Sequence, residues 1–179
     1  MFYVDDVSVT TSKSITAAEL RVAVRPQLGT EQASTSGTSI DFTGIPAGAR
    51  RISIHFVGVS GNGSSNMILQ LGDAGGFETT GYSGGIATID TGGNATGNNS
   101  AGFKVSTQTG TDASHGLITL SLEDASDFTW CMSGTLQRTS QSYLSAGSKS
   151  LSAELTQVRI THENGTDAFD AGAINISYQ

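Results

Sequence analysis

The sequence predicts an all-β protein, an antiparallel β-sandwich or jelly roll with a short N-terminal arm or helix. Short runs that alternate apolar and polar residues are the first sign, because a half-buried strand repeats every two residues. The second is the supply of Gly, Ser and Thr, which number 23, 24 and 22 among 179 residues and suit turns and polar strand faces. The third is the balance of 36% apolar against 14% charged residues. Disordered chains have the opposite balance, with high charge and little hydrophobicity.

Taken in order, residues 2–9 are the first strand candidate. Residues 15–24 come next, with Ser14 placed to cap them. They contain good helix formers, and two turns of helix or a strand fit them equally. Residues 29–37 form a polar link. The chain therefore divides into a lead-in arm, residues 1–37, and a globular body, residues 38–179. In the body, residues 38–43 are a strand candidate. Residues 51–57 place Ile52, Ile54 and Phe56 on one face and Arg51, Ser53 and His55 on the other. Residues 66–71 and 103–107 are further candidates. Residues 116–123 alternate through Ile118, Leu120 and Leu122, and residues 127–133 through Phe128, Trp130 and Met132. Residues 150–162 and 173–179 complete the set, the last with Ile174, Ile176 and Tyr178 on one face. Gly61-Asn62-Gly63, Gly75-Gly76, Gly84-Gly85, Gly92-Gly93-Asn94 and Asn164-Gly165 separate the runs as turns. Roughly ten strands with one polar face each are the pattern of an antiparallel sandwich.

Charge and cysteine usage exclude several functions. Nine basic against 16 acidic side chains leave a net charge of −7, and Arg50-Arg51 is the lone adjacent basic pair. Nucleic-acid binding needs clustered cations to neutralise phosphates, so none is expected. No apolar run is long enough to span a membrane, and no basic-then-apolar signal comes after Met1. A soluble protein without membrane insertion is expected. A single cysteine, Cys131, allows neither an intrachain disulfide nor a multi-cysteine metal site.

The search for catalytic chemistry finds little. Gly81-Tyr82-Ser83-Gly84-Gly85 fits the Gly-x-Ser-x-Gly nucleophile elbow, which works only on a strand-to-helix turn. The residues after Ser83 have no helical pattern, and in a chain this rich in Gly and Ser about 0.4 such matches arise by chance. His55, His115 and His162 are widely spaced, and His55 and His162 read as solvent-face strand residues. Glu123, Asp124 and Asp127, and likewise Asp167 and Asp170, read as solvated turn carboxylates without the spacing of a calcium loop. Gly61 to Asn66 lacks the lysine of a phosphate loop and reads as a hairpin turn. No catalytic residue, metal or cofactor is expected. Trp130 reads as core. Phe77, Tyr82 and Tyr143 lie in or beside polar loops, where rings anchor the loop or stack on a ligand. With Asn94 and Asn98 they form the candidate contact surface, in the loops around residues 77–85, 92–99 and 141–143.

Two stretches carry resemblance to known families. Phe2-Tyr3-Val4-Asp5-Asp6-Val7-Ser8-Val9 resembles the closing strand of carbohydrate-binding jelly-roll modules. It covers eight residues and brings no sugar site with it. From Ile40 to Tyr178, the succession Asp41-Phe42-Thr43-Gly44-Ile45-Pro46-Ala47-Gly48-Ala49-Arg50-Arg51-Ile52, then Phe56-Val57-Gly58-Val59-Ser60, then Leu69-Gln70-Leu71-Gly72-Asp73, resembles a module of tailed-bacteriophage and prophage virion proteins. Asn164-Gly165-Thr166-Asp167-Ala168-Phe169-Asp170-Ala171-Gly172-Ala173-Ile174-Asn175-Ile176 is similar to the end of such modules. That resemblance implies a non-enzymatic tail fibre, tip or head-decorating protein of the virion, assembled in the bacterial cytoplasm. It also implies a homotrimer that meets other virion proteins and a host surface glycan. The apolar Ile15, Leu20, Val22 and Val24 of the arm would then form part of an assembly seam.

Overall fold

Alternation is realised as strand throughout the described residues, which in the computed structural model are 2–4, 13–15, 25–89, 94–96, 100–107, 110 and 112–179. The elements are β1 (Phe2–Val4), β2 (Lys13–Ile15), β3 (Gln27–Leu28), β4 (Gln32–Ala33), β5 (Ser39–Thr43), β6 (Arg51–Gly61), β7 (Met67–Asp73) and β8 (Gly76–Phe77). They continue with β9 (Ser83–Ile89), β10 (Asn94–Thr96), β11 (Phe103–Ser106), β12 (Ser114–Asp124), β13 (Thr129–Arg138), β14 (Gln141–Ser150), β15 (Gln157–His162) and β16 (Phe169–Tyr178). No helix occurs among the described residues, and the expected antiparallel sandwich is what the chain forms.

A larger sheet runs in the order β10-β9-β14-β13-β12-β6-β16, with β3 and β4 both on the far side of β16. It curls around a smaller sheet ordered β11-β7-β15-β5, with β8 beside β7. β1 and β2 form a separate antiparallel pair. The core fills the space between the sheets. Ile52, Ile54 and Phe56 from β6, Ile118 and Leu120 from β12, and Trp130, Met132 and Leu136 from β13 face Leu69, Leu71, Val158 and Ile160 of the smaller sheet. Every residue of β7 is buried, and four of the seven, Met67, Ile68, Leu69 and Leu71, are large apolar side chains. Each such aliphatic side chain stabilises the fold by roughly 1.5–3 kcal/mol through the surface it removes from water.

Besides the short β3, β4, β8 and β10, two longer strands escape sequence reading, β9 and all of β14 but its last residue. Their inward positions are Ile86 and Thr88, and Tyr143, Ser145, Gly147 and Lys149, so apolar alternation is absent. Gly84-Gly85, expected as a turn, lies within β9, where Gly84 opposes Gly147 of β14. A Cβ on Gly147 would lie 2.5 Å from the Ser83 carbonyl oxygen and 2.9 Å from the Phe103 ring, so the missing side chains admit that ring from the smaller sheet. Residues 150–162, expected as one strand, are a loop at 151–156 leading into β15. Gly61 to Asn66 joins β6 to β7 in the other sheet and is therefore no hairpin. Residues 27–33, read as part of the lead-in arm, pair with β16 at the edge of the larger sheet.

The pairing of β6 with β16 is irregular. The register shifts twice along β16, between Phe169, Ala171 and Ala173, and such bulges bend the strand that holds them. Gly58 and Gly172 meet there with φ of +66° and +94°, and a Cβ on Gly172 would overlap the Gly58 backbone. Gly165 has a similar φ of +68° with nothing near its missing Cβ. Gly165→Ala is therefore expected to cost about 1 kcal/mol from backbone strain alone, and Gly172→Ala about 3 kcal/mol or more from strain plus overlap. Urea unfolding of the two variants measures the difference, and equal losses would contradict this account of the bend.

Candidate functional site

The outward face of the smaller sheet carries a groove of about 280 Å³. Strand register builds it in rows. Asp41 of β5, Arg159 of β15 and Gln70 of β7 stand side by side, and Ser39, Thr161 and Ile68 form the next row. Arg159 donates from Nε and Nη2 to the two oxygens of Asp41 at 2.8 and 2.7 Å, a bidentate pairing that fixes both side chains. The Asp41 carboxylate raises the Arg159 pKa above its ordinary value. The guanidinium lies 4.1 Å from the centroid of the Phe77 ring, a cation–π contact. Gln70 donates from Nε2 to the Ala101 carbonyl at 2.9 Å, and Thr161 donates to the Thr38 carbonyl at 2.8 Å. Glu163, beside Asn164 and Gly165, ends the groove and accepts from Asn66 Nδ2 at 2.7 Å. Planar amide, guanidinium and carboxylate groups are thus held on rigid strands, with hydroxyls between them. Gln70 and Thr161 are 7% and 8% exposed and form the groove's floor, and the more open Arg159, Ser39 and Asn164 complete a surface able to hydrogen-bond a polyhydroxylated ligand.

Of the residues expected on a contact surface, Phe77 is half-buried against the Arg159 guanidinium and lies outside the groove's lining. Tyr82 and Tyr143 do not stand as exposed rings, and both are interior anchors. The Tyr82 hydroxyl accepts from Leu71 N at 2.6 Å and donates to the Glu78 carbonyl at 2.9 Å, while its ring meets Phe103 edge-on at 4.9 Å. Burial pushes the Tyr82 hydroxyl well above its usual pKa. Tyr143 is fully buried on β14, opposite Leu136 and Thr88. Asn94 begins β10, Ile15 ends β2, and Asn98, Leu20, Val22 and Val24 lie outside the described residues. Arg159 was missed because it occupies the polar half of an alternating strand, which composition does not separate from any solvated face, and Gln70 and Thr161 because each stands in a buried strand segment that reads as core.

Behind Tyr82 an ionic network ties the two sheets together. Lys149, buried on β14, pairs with Glu78 and donates to the Ser150 carbonyl at 2.7 Å. Glu78 also accepts from Ser152 N at 2.7 Å. Asp73, buried at the end of β7, accepts from the Ser152 hydroxyl at 2.5 Å and from Gly75 N at 2.7 Å. The Ser152 hydroxyl and the Gly75 N–H hold the Asp73 carboxyl below its ordinary range. Burial acts against ionisation of Glu78, yet Lys149 and the Ser152 N–H hold it low as well.

No assembled catalytic group stands out among the described residues. Ser83 opens β9 opposite Ser148 on the exposed face, with strand rather than helix after it. Asp124 and Asp167 are engaged by neighbouring turns, through Ser126 and through Asn164 with Ser65. No group of three His, Cys, Asp or Glu side chains is placed to hold a metal among the described residues. His162, expected on a solvent face, is buried at 1% exposure under Gly61 and the 163–168 loop. Its Nδ1 donates to the Asp167 carbonyl at 3.0 Å. No family model, curated protein or solved structure matches the chain.

These contacts set two measurable outcomes. Glu78→Ala leaves the Lys149 ammonium buried without a counter-charge and is expected to cost about 3 kcal/mol in urea unfolding. Burial lowers the His162 pKa below its ordinary 6.5, with Asp167 and Asp170 partly opposing the shift. The unfolded chain therefore binds the proton first, so stability is full above about pH 6.5 and falls as acid is added through that value. Urea unfolding between pH 7.5 and 5.5 reads the effect, and His162→Gln should flatten the slope.

Proposed function

We propose that the chain is a non-enzymatic structural subunit of a phage-type virion surface assembly, of the tail-fibre, tip or head-decoration kind, working as a homotrimer and contributing to host attachment. The observation that carries this reading is the outer face of the larger sheet. A row of register partners, His55, Leu117, Thr135, Leu144 and Ala87, crosses five strands. Leu117 and Leu144 are 41% and 44% exposed, and Val57 and Ile89 flank the row at 60% and 55%. The row on one side is Ser53, Thr119, Ser133, Ala146 and Gly85, and the row on the other includes His115, Gln137, Ser142 and Ile89; among the described residues of these rows there is no Asp, Glu, Lys or Arg, and Arg51 stands one row further out. Four exposed aliphatic side chains on one charge-poor face fit a contact surface, and burial against other subunits removes them from water. The resemblance of residues 40–178 to virion modules supports the same reading.

A second reading, a carbohydrate-binding β-sandwich module, draws on the groove beside Arg159 and Gln70. Both readings place a saccharide in that groove, and they part on assembly. Light scattering after size exclusion is expected to give three times 18.4 kDa for the native chain and a smaller species for Leu117→Asp/Leu144→Asp. A native monomer that binds sugar would favour the module instead. For the groove, titration with host surface polysaccharide monitored by NMR should perturb Gln70 and Thr161 amides, with affinity falling at least tenfold in Gln70→Ala. Binding unchanged in Gln70→Ala removes the groove from the reading.

A further inference from the structure

At the other end of the sandwich, a buried positive charge stands without a counter-charge among the described residues. Arg138 ends β13 and is 3% exposed. Its Nη2 donates to the Tyr143 hydroxyl at 2.8 Å and to Gln141 Oε1 at 3.3 Å, both neutral acceptors. The Tyr143 hydroxyl also receives the Thr107 hydroxyl at 2.9 Å and donates to Gln141 Oε1 at 2.6 Å. The phenol is therefore committed as a neutral hub. Nε and Nη1 of Arg138 are buried and have no partner among the described residues. The ion pairs among these residues use Lys104, Lys149 and Arg159, never Arg138. Directly opposite Arg138 in the β12–β13 register is Ser114, fully buried, whose hydroxyl has no partner there either. The next residue, Thr139, sits at φ +51°, a conformation that a β-branched residue rarely adopts, so the hairpin that carries Arg138 is held under strain.

We propose that Arg138 and Ser114 bind a small monovalent anion of halide or carboxylate class between the ends of β12 and β13. An anion supplies what this cluster lacks, an acceptor for the guanidinium N–H groups and the serine hydroxyl together with a negative charge against Arg138. A guanidinium left buried without one is strongly unfavourable. Water would accept hydrogen bonds but leave the charge uncompensated. Burial of all three donors restricts the site to a single ion, or to the carboxylate end of a larger acid.

The experiment is thermal unfolding of the whole chain, monitored through its single Trp130, at constant ionic strength set with a bulky sulfonate salt. Sodium chloride, sodium bromide and sodium formate are each titrated in place of that salt. A saturable rise of roughly 5 °C is expected as the anion reaches a hundredfold excess over its dissociation constant. A rise with the halides identifies a free ion, and a rise with formate alone identifies the carboxylate of a larger ligand. Arg138→Met should abolish the rise, while Arg50→Met, which removes an exposed cation, should keep it. Should Arg138→Met fail to fold, Ser114→Ala should raise the half-saturating concentration at least threefold. The proposal is overturned by the absence of a rise with all three anions, by an equal rise in Arg138→Met, or by unchanged half-saturation in Ser114→Ala. Crystals grown in bromide that show water alone beside Arg138 would overturn it too.

Discussion

The closure of one end of this sandwich rests on a lysine that points inward. Lys149 comes from β14, third from one edge of the larger sheet, and its ammonium meets Glu78 at the end of the smaller one. A charge in that position is tolerated because its surroundings are complete. Glu78 and the Ser150 carbonyl accept from it, and the Tyr82 ring lies 5.6 Å away. Tyr82 in turn bonds the backbone of β7, and Ser152 joins Glu78 to Asp73. The loop before β9 and the loop after β14 are thereby held by one set of bonds. The polar network gives the end of the fold a fixed geometry that apolar contact, which has no direction, would leave less defined.

That fixed end supports the groove on the far side of the smaller sheet. Gln157, from the same sheet, donates to the Asp73 carbonyl at 2.7 Å, and Phe77 lies between Gly72 and the Arg159 guanidinium. The groove's planar side chains are therefore set by strands that are anchored from behind. Glycine has the complementary role where backbones approach closely. Gly58 and Gly172 let β6 and β16 approach closely enough for the larger sheet to wrap, while Gly84 and Gly147 leave room for Phe103.

Much of this architecture was legible in the sequence, for a reason visible in particular strands. β6, β12 and the start of β13 alternate cleanly because one face meets the core and the other meets solvent. β16 alternates through Ile174 and Ile176 for the same reason. β14 looks like a loop because Tyr143, Ser145, Gly147 and Lys149 fill its inward positions, with hydrogen bonds and backbone contact in place of aliphatic packing. The same substitution misdirected the reading of Tyr82 and Tyr143 as contact rings. The groove escaped notice because Asp41, Arg159 and Gln70 are distant in the chain and become neighbours only through register. His162 went astray because its strand end is covered by a loop that sequence separation conceals.

The path of the chain between the sheets has a kinetic consequence. From β5 to β7 each strand enters the sheet opposite its predecessor, and β15 and β16 do so again. Neither sheet can be assembled from consecutive segments. β6, made early, stays half-paired until β16 arrives more than a hundred residues later. Such topology has high contact order, and chains of this kind fold slowly because distant segments must meet before most native contacts form. A nascent chain on the ribosome would expose the apolar edge of β6 until β16 emerges, so folding is deferred to the end of synthesis of this segment. The reverse holds once it is complete: β6 lies between β12 and β16 and cannot leave without breaking both pairings, which favours slow unfolding of that part of the sheet over local fraying.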